Sequence, residues 1–195
     1  MNQRSLQKAE SRGAILRTAA SLLRERGIAG VSVERAMAGA GRTVGAFYAH
    51  FGSKDELLEH AFVLAMGDIG EMMREAADGQ TPREAVVAIA QAYLSEEHRD
   101  KAARGCPLPA LAAGAAAEPR EGQSLISRGL STMVDRISTV AKGELTKDQA
   151  FALAVILIGG QILARATRGS SLSSRVLASS LRTAHAIVAG RSGER

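Results

Sequence analysis

One cysteine, no tryptophan and only 3% aromatic residues set this 195-residue chain apart. The lone thiol, Cys106, excludes an internal disulfide framework and fits a reducing compartment. With so few aromatic side chains, the core has to be packed from Ala, Leu, Val and Ile. Alternating apolar and polar runs are scarce as well, which argues for an all-α protein. His50, His60, His98 and His185 are scattered, and neither Cys-x-x-Cys nor His-x-x-x-His spacing occurs, so neither a metal site nor a cofactor is expected. No phosphate-binding glycine loop follows a strand, and no catalytic constellation emerges. The first residues, MNQRSLQKAESR, lack the apolar segment of a secretory leader. The longest apolar run, Ala150 to Ile158, is short of the about 20 residues that span a bilayer. These absences imply a cytoplasmic protein with no membrane partner.

What is present is unevenly spread. The net charge is +5, yet residues 1–54 hold nine Lys/Arg against three Asp/Glu, and the remainder holds sixteen against seventeen. The excess positive charge therefore sits at one end, as expected of a surface that meets phosphates. The same end contains the stretch VSVERAMAGAGRTVGAFYAHFGSKDELL, Val31 to Leu58. Ser32 is a good N-cap, and Val33, Ala36, Met37 and Ala40 recur at helical spacing. Gly41 can take the left-handed backbone that ends a helix. Thr43 can cap a second short helix, with Phe47 and Phe51 on its inner side. Ser53 and Glu56 then read as a capping box opening a longer helix. Two short helices around a glycine turn make a helix-turn-helix unit, whose second helix enters the DNA major groove.

The run T-V-G-A-F-Y-A-H-F-G-S-K-D-E-L-L, preceded by an amphipathic helix, resembles the DNA-binding domain of the TetR family of transcriptional regulators. Tyr48, His50, Phe51 and Lys54 match that family's Tyr-x-His-Phe run and the lysine after it. The resemblance covers the first third of the chain. It departs at Arg42, where the family usually has an aliphatic residue packing inward. It implies a homodimeric, ligand-responsive repressor that binds double-stranded operator DNA and an unidentified small-molecule effector. The implied organisation is a DNA-binding domain at 5–52 and a helical ligand-binding and dimerisation domain at 53–190. The residues expected at DNA are Ser32, Glu34, Arg35, Arg42, Thr43, Val44, Gly45, Ala46, Tyr48, Ala49, His50 and Lys54. Tyr48 and Lys54 suit phosphate, the apolar trio Val44 to Ala46 suits thymine methyls, and Glu34, Arg35 and Arg42 are the polar candidates for base readout.

Elsewhere the chain reads as helices. The first runs Leu6 to Arg26, and a long one runs Ser53 to Ala77. A fourth starts at Thr81-Pro82 with Pro at its first position. Glu96 to Gly105 reads as a charged connector. Pro107 opens a further helix with Cys106 as its cap, and Glu118-Pro119 breaks it. Helices follow at Arg120 to Lys142, Thr146 to Arg168 and Ser171 to Ala189. The penultimate one is apolar nearly all round and so has to be buried on more than one side. It carries Gly159-Gly160, which suits close helix approach. The family resemblance makes these last two helices the dimer seam. Ile69, Met72, Met73, Tyr93, Cys106, Leu111, Leu125 and Met133 are the expected ligand-pocket residues, the methionines suiting an adaptable cavity. Gly67 and Gly70 soften the long helix into a possible hinge. The alternative reading is a small α-helical enzyme or ligand carrier using Cys106 and the helical cavity. Within the regulator reading, Lys101 and Arg104 near that thiol at a helix start suit a reactive, redox- or electrophile-sensing cysteine.

Overall fold

The computed structural model describes residues 2–114 and 120–190, and every regular element among them is helical. α1 spans Gln3–Arg26 and starts three residues before the expected Leu6, because Asn2 Oδ1 accepts from Arg4 N–H at 2.7 Å and Ser5 N–H at 3.2 Å. It stops at Gly27, whose φ of 65° only glycine takes readily. α2 is Val33–Gly39, capped by Ser32 Oγ, which accepts from Arg35 N–H. Its end is a Schellman motif: Gly41 N–H bonds Ala38 O, and Arg42 N–H bonds Met37 O. At Gly39 a Cβ would lie 2.6 Å from Thr18 Cγ2, so the missing side chain is what lets α2 cross α1.

The long helix α3 spans Lys54–Ala77. α4 is Pro82–Tyr93, α5 Glu96–Asp100, α6 Leu108–Gly114, α7 Arg120–Ala141, α8 Lys147–Ala166 and α9 Ser171–Val188. Two expectations are corrected here. The connector at 96–105 is folded: α5 is capped by Ser95 Oγ, which accepts from His98 N–H at 3.0 Å, and a 3-10 turn follows at Ala102–Arg104. Asp100 then accepts from both Arg99 and Arg168, and Glu96 accepts from Ser174, fastening the segment to the turn after α8 and to α9. Cys106 does not cap α6. Leu111 N–H bonds Pro107 O, so Pro107 is the cap and Cys106 precedes it. The Glu118-Pro119 break lies outside the described residues.

The chain divides into two compact units, the described residues of Met1–Gly67 with Ala102–Leu125, and Asp68–Lys101 with those of Ile126–Arg195. α3 runs from the first into the second at Gly67–Asp68. In the first unit Ile15, Ala19, Leu23, Ala36, Met37, Phe47, Phe51, Leu57 and Ala61 form the core. Arg24 is also buried there, donating to Ala65 O and Ala103 O. One of the nine amino-terminal cations is thus an internal strut and not a surface contact group.

In the second unit, α8 and α9 pack along each other, and Gly160 leaves room for a close approach: a Cβ there would stand 2.7 Å from Ser180 Oγ and 2.9 Å from Leu94 Cδ2. Gln161 beside it is wholly buried and donates to Tyr93 O at 2.6 Å. α8 is long and apolar enough to cross a membrane by length and composition, with a mean hydropathy of 1.6 over its most apolar window. Its buried, hydrogen-bonded Gln161 and its packing on α9 are those of a core helix. The helix is nevertheless not covered all round. Phe151, Val155 and Leu163 are 48%, 50% and 56% exposed, and Leu172 at the start of α9 is 50% exposed.

Candidate nucleic-acid interface

The interface is built from a buried aromatic pair. Phe47 and Phe51 are 1% and 2% exposed and stack at 5.7 Å between centroids. Anchoring those two rings turns the intervening residues outward, and Tyr48 is 78% exposed, edge-on to Phe47 at 5.3 Å. Phe47 is carried by the segment Val44–Ala49, the expected second short helix, and it winds as a 3-10 helix. Thr43 occupies its cap position without a side-chain hydrogen bond. Along it Val44, Gly45, Tyr48 and Ala49 are exposed, Ala46 is half-buried and Phe47 is buried.

The flanks add polar groups. Arg42 and Thr43 in the turn are exposed, as are Glu34 and Arg35 at the start of α2, and Ser32 is half-buried. Arg42 stands clear of the core that the family's aliphatic residue would help fill. Arg35 Nη1 donates to Gly30 O at 3.2 Å, so this guanidinium is partly engaged with its own backbone. The Glu34 carboxyl is held below the usual carboxylate range by a backbone hydrogen bond, the Ser32 hydroxyl and the charge of Lys54. Lys54 is exposed in the first turn of α3. That turn is fastened by Ser53 Oγ, which accepts from Glu56 N–H at 3.1 Å, while the Glu56 carboxylate reaches back one residue further than expected, to Gly52 N–H at 2.7 Å. The structure therefore brings all twelve sequence-derived residues, from Ser32 to Lys54, onto the surface of one unit.

His50 is half-buried, and its Nδ1 is buried without a hydrogen-bond partner. Its pKa is lowered by burial and by the charges of Lys8, Arg42 and Arg12. Lys8 and Arg12, which with Arg4 read in the sequence as possible phosphate contacts or a solvated face, thus stand near this surface, and at a spacing of four on α1 they share a helix face. Arg12 is held in place by the Phe51 ring and by Glu56 at 3.8 Å.

The other candidate site lies in the second unit. The second half of α3, the turn after it, the start of α4 and α7 border a cavity of about 700 Å³ that is open to solvent. Of the expected pocket residues, Met73 lines it. Ile69, Tyr93 and Met133 of that unit are buried, and Met72 is half-buried. Cys106, Leu111 and Leu125 are buried in the first unit. Among the described residues no group of three His, Cys, Asp or Glu could hold a metal ion.

Comparison with known proteins places this geometry. Residues 15–61 match the family model described as bacterial regulatory proteins, tetR family. The fold is that of several solved regulators. A TetR-family regulator from Rhodococcus sp. is 21% identical with a TM-score of 0.72, covering 92% of this chain and 99% of that one. One from Cytophaga hutchinsonii is 16% identical with a TM-score of 0.79, over 97% and 98%. The reduced form of E. coli NemR is 19% identical with a TM-score of 0.74, over 89% and 94%. No curated protein matches the chain.

Proposed function

We propose that the chain, whose residues 15–61 match the tetR family of bacterial regulatory proteins, is a ligand-responsive transcriptional regulator, a repressor released from its operator by a small molecule. Residues 5–52 bind DNA, and 53–190 bind the effector and a second copy of the chain in the cytoplasm. The observation that carries this reading is the Val44–Ala49 turn. Its outer face is small and apolar, it is anchored on Phe47 and Phe51, and Tyr48, Lys54 and Arg42 flank it. Small side chains let backbone approach base edges, and the flanking groups reach phosphate.

The uncovered stripe on α8 supports a homodimer. Phe151, Val155, Gly159 and Leu163 recur at every fourth position, and a Cβ at Gly159 would meet nothing within 4 Å. Such a stripe, continued by Leu172 of α9, suits a two-fold seam with the same helices of another copy. An enzyme built on Cys106 has against it a thiol that is wholly buried, away from any substrate.

The test is selection of DNA fragments from the source genome by the purified protein at low salt. Recovery of a pseudo-palindromic sequence is expected, with retardation of that fragment in a gel. Equal retention of all fragments, or retention of none, would remove the regulator reading.

A further inference from the structure

The cavity of the second unit has a chemistry of its own. Thr132, Asp135, Arg136, Thr139 and Val140 of α7 face it, and their spacing of i, i+3, i+4, i+7 and i+8 is one side of a helix. The facing wall is Met73, Ala77, Pro82 and Ala85, an apolar floor. The hydroxyls of Thr132 and Thr139 already donate to Arg128 O and Asp135 O within their own helix. Charged donors toward the space therefore come from Arg74, Arg136 and Lys142.

These three are not equivalent. Arg74 is held by both carboxylate oxygens of Glu71. The Arg136 guanidinium lies flat against bare α3 backbone, its Cζ 2.8 Å from where a Cβ of Gly70 would be. Any other residue at 70 would displace it. Lys142 has a φ of 46°, the one positive φ among the described non-glycine residues. It follows α7 at a helix end, where glycine is the usual occupant, and glycine follows it at 143. A strained backbone kept with a lysine on it points to use of that side chain. Asp78 and Asp135 stand in the same walls, and they disfavour a second negative charge on anything bound there.

We propose that this cavity binds an amphipathic carboxylate. Its single negative head lies between Arg136 and Lys142, and its apolar body lies on Met73, Ala77, Pro82 and Ala85. A volume of about 700 Å³ is in the range of sites for small organic ligands. The inference gives a chemical class to the effector and rests on the regulator reading only for what binding does to DNA. Binding itself is measured without DNA, so the two can fail separately.

The experiment is calorimetric titration of the full-length protein with decanoate, decanol and decyl phosphate, each below its micelle concentration. Decanoate is expected to saturate at one site per chain, with decanol and decyl phosphate at least tenfold weaker. Arg136→Gln should weaken decanoate at least tenfold. Lys142→Gly is the discriminating variant: it relieves the left-handed backbone, so it should raise the thermal midpoint while weakening decanoate several-fold. A merely structural lysine would leave affinity unchanged. The proposal is overturned if decanoate shows no saturable binding, if decanol or decyl phosphate binds as well, or if Lys142→Gly retains the parent's affinity.

Discussion

The Arg12 guanidinium sits over the Phe51 ring, 4.7 Å from its centroid. It joins the first helix to the aromatic pair under the recognition turn, and Glu56 at 3.8 Å holds its other side. A half-exposed stack of this kind is worth about 0.5–1 kcal/mol. Arg12→Met keeps most of the apolar stem, so it should lower the thermal midpoint by about 1–4 °C for a chain of this size, with Arg12→Lys between the two. An unchanged midpoint by circular dichroism would mean that the stack contributes nothing.

Lys54 tests the phosphate assignment. Lys54→Ala should weaken binding to operator and to unrelated DNA by the same factor. It should also reduce the log–log salt dependence by about 0.9 per chain, the value of one neutralised phosphate. A changed base preference in a binding-site selection would assign the lysine to readout instead.

The neighbouring glycines of α8 should behave in opposite ways. Gly159 meets open space and lies on the uncovered stripe. Gly159→Arg should leave helicity intact but split the proposed dimer, because an unpaired charge would enter a desolvated seam. Gly160→Ala puts a methyl against Ser180 and Leu94 and should cost about 1–3 kcal/mol of folding stability, as overpacking does. Sedimentation and urea unfolding separate the two effects. An intact dimer for Gly159→Arg moves the seam elsewhere.

Gly67 and Gly70 also separate. Gly67 is exposed with nothing near its missing Cβ, whereas Gly70 lies under Arg136. Gly67→Ala should therefore stabilise the protein by about 0.5–1 kcal/mol and, if α3 bends there, make effector release of DNA harder. Gly70→Ala should instead disturb the cavity. A Gly67→Ala protein that releases DNA at the parent's effector concentration would show that the bend is not at this glycine.

Acid should loosen the second unit through His98. Burial lowers its pKa to about 4, while a hydrogen bond to Tyr93 O opposes the shift. That carbonyl only accepts, so the ring Nδ1, 2.6 Å away, carries the proton of the neutral form. The unfolded chain holds a second ring proton up to about pH 6.5 and the folded chain only to about 4. Between those values the unfolded state binds more protons, so stability falls on acidification through that window, by on the order of 3 kcal/mol. Below it, protonation of Asp100, whose carboxyl Arg99 and Arg168 hold well under the usual range, acts in the same direction. His98→Gln should flatten urea-unfolding stability between pH 6.5 and 4. A slope equal to the parent's would place the titrating group elsewhere.

Some of this structure was open to reading from residues alone, for local reasons. Ser32, Gly41, Ser53, Thr81 and Thr146 act on backbone within a few positions, so their caps and stops are written in short words. The Phe47 and Phe51 pair is similar. The winding between them was not legible, because over six residues a period of 3.0 and one of 3.6 bury nearly the same positions. Arg24 shows the other limit. An arginine beside an apolar stripe reads as surface, and only the carbonyls of Ala65 and Ala103 make it internal. The 96–105 segment likewise takes its shape from Arg168 and Ser174, about seventy residues later. The cavity depends on how α3 and α7 pair, which no single periodicity specifies.

In the proposed complex with DNA, the tight winding of the Val44–Ala49 turn limits how much sequence one chain can read. Six residues rising about 2 Å each cover roughly 12 Å, the rise of three to four base pairs at about 3.4 Å per step. A word that short recurs by chance roughly once in a hundred base pairs, among the ~10⁶ or more competing sites of a genome. A single copy would carry too little information to address one promoter. In the two-copy arrangement, the address lies in the fixed interval between two short words more than in the spelling of either.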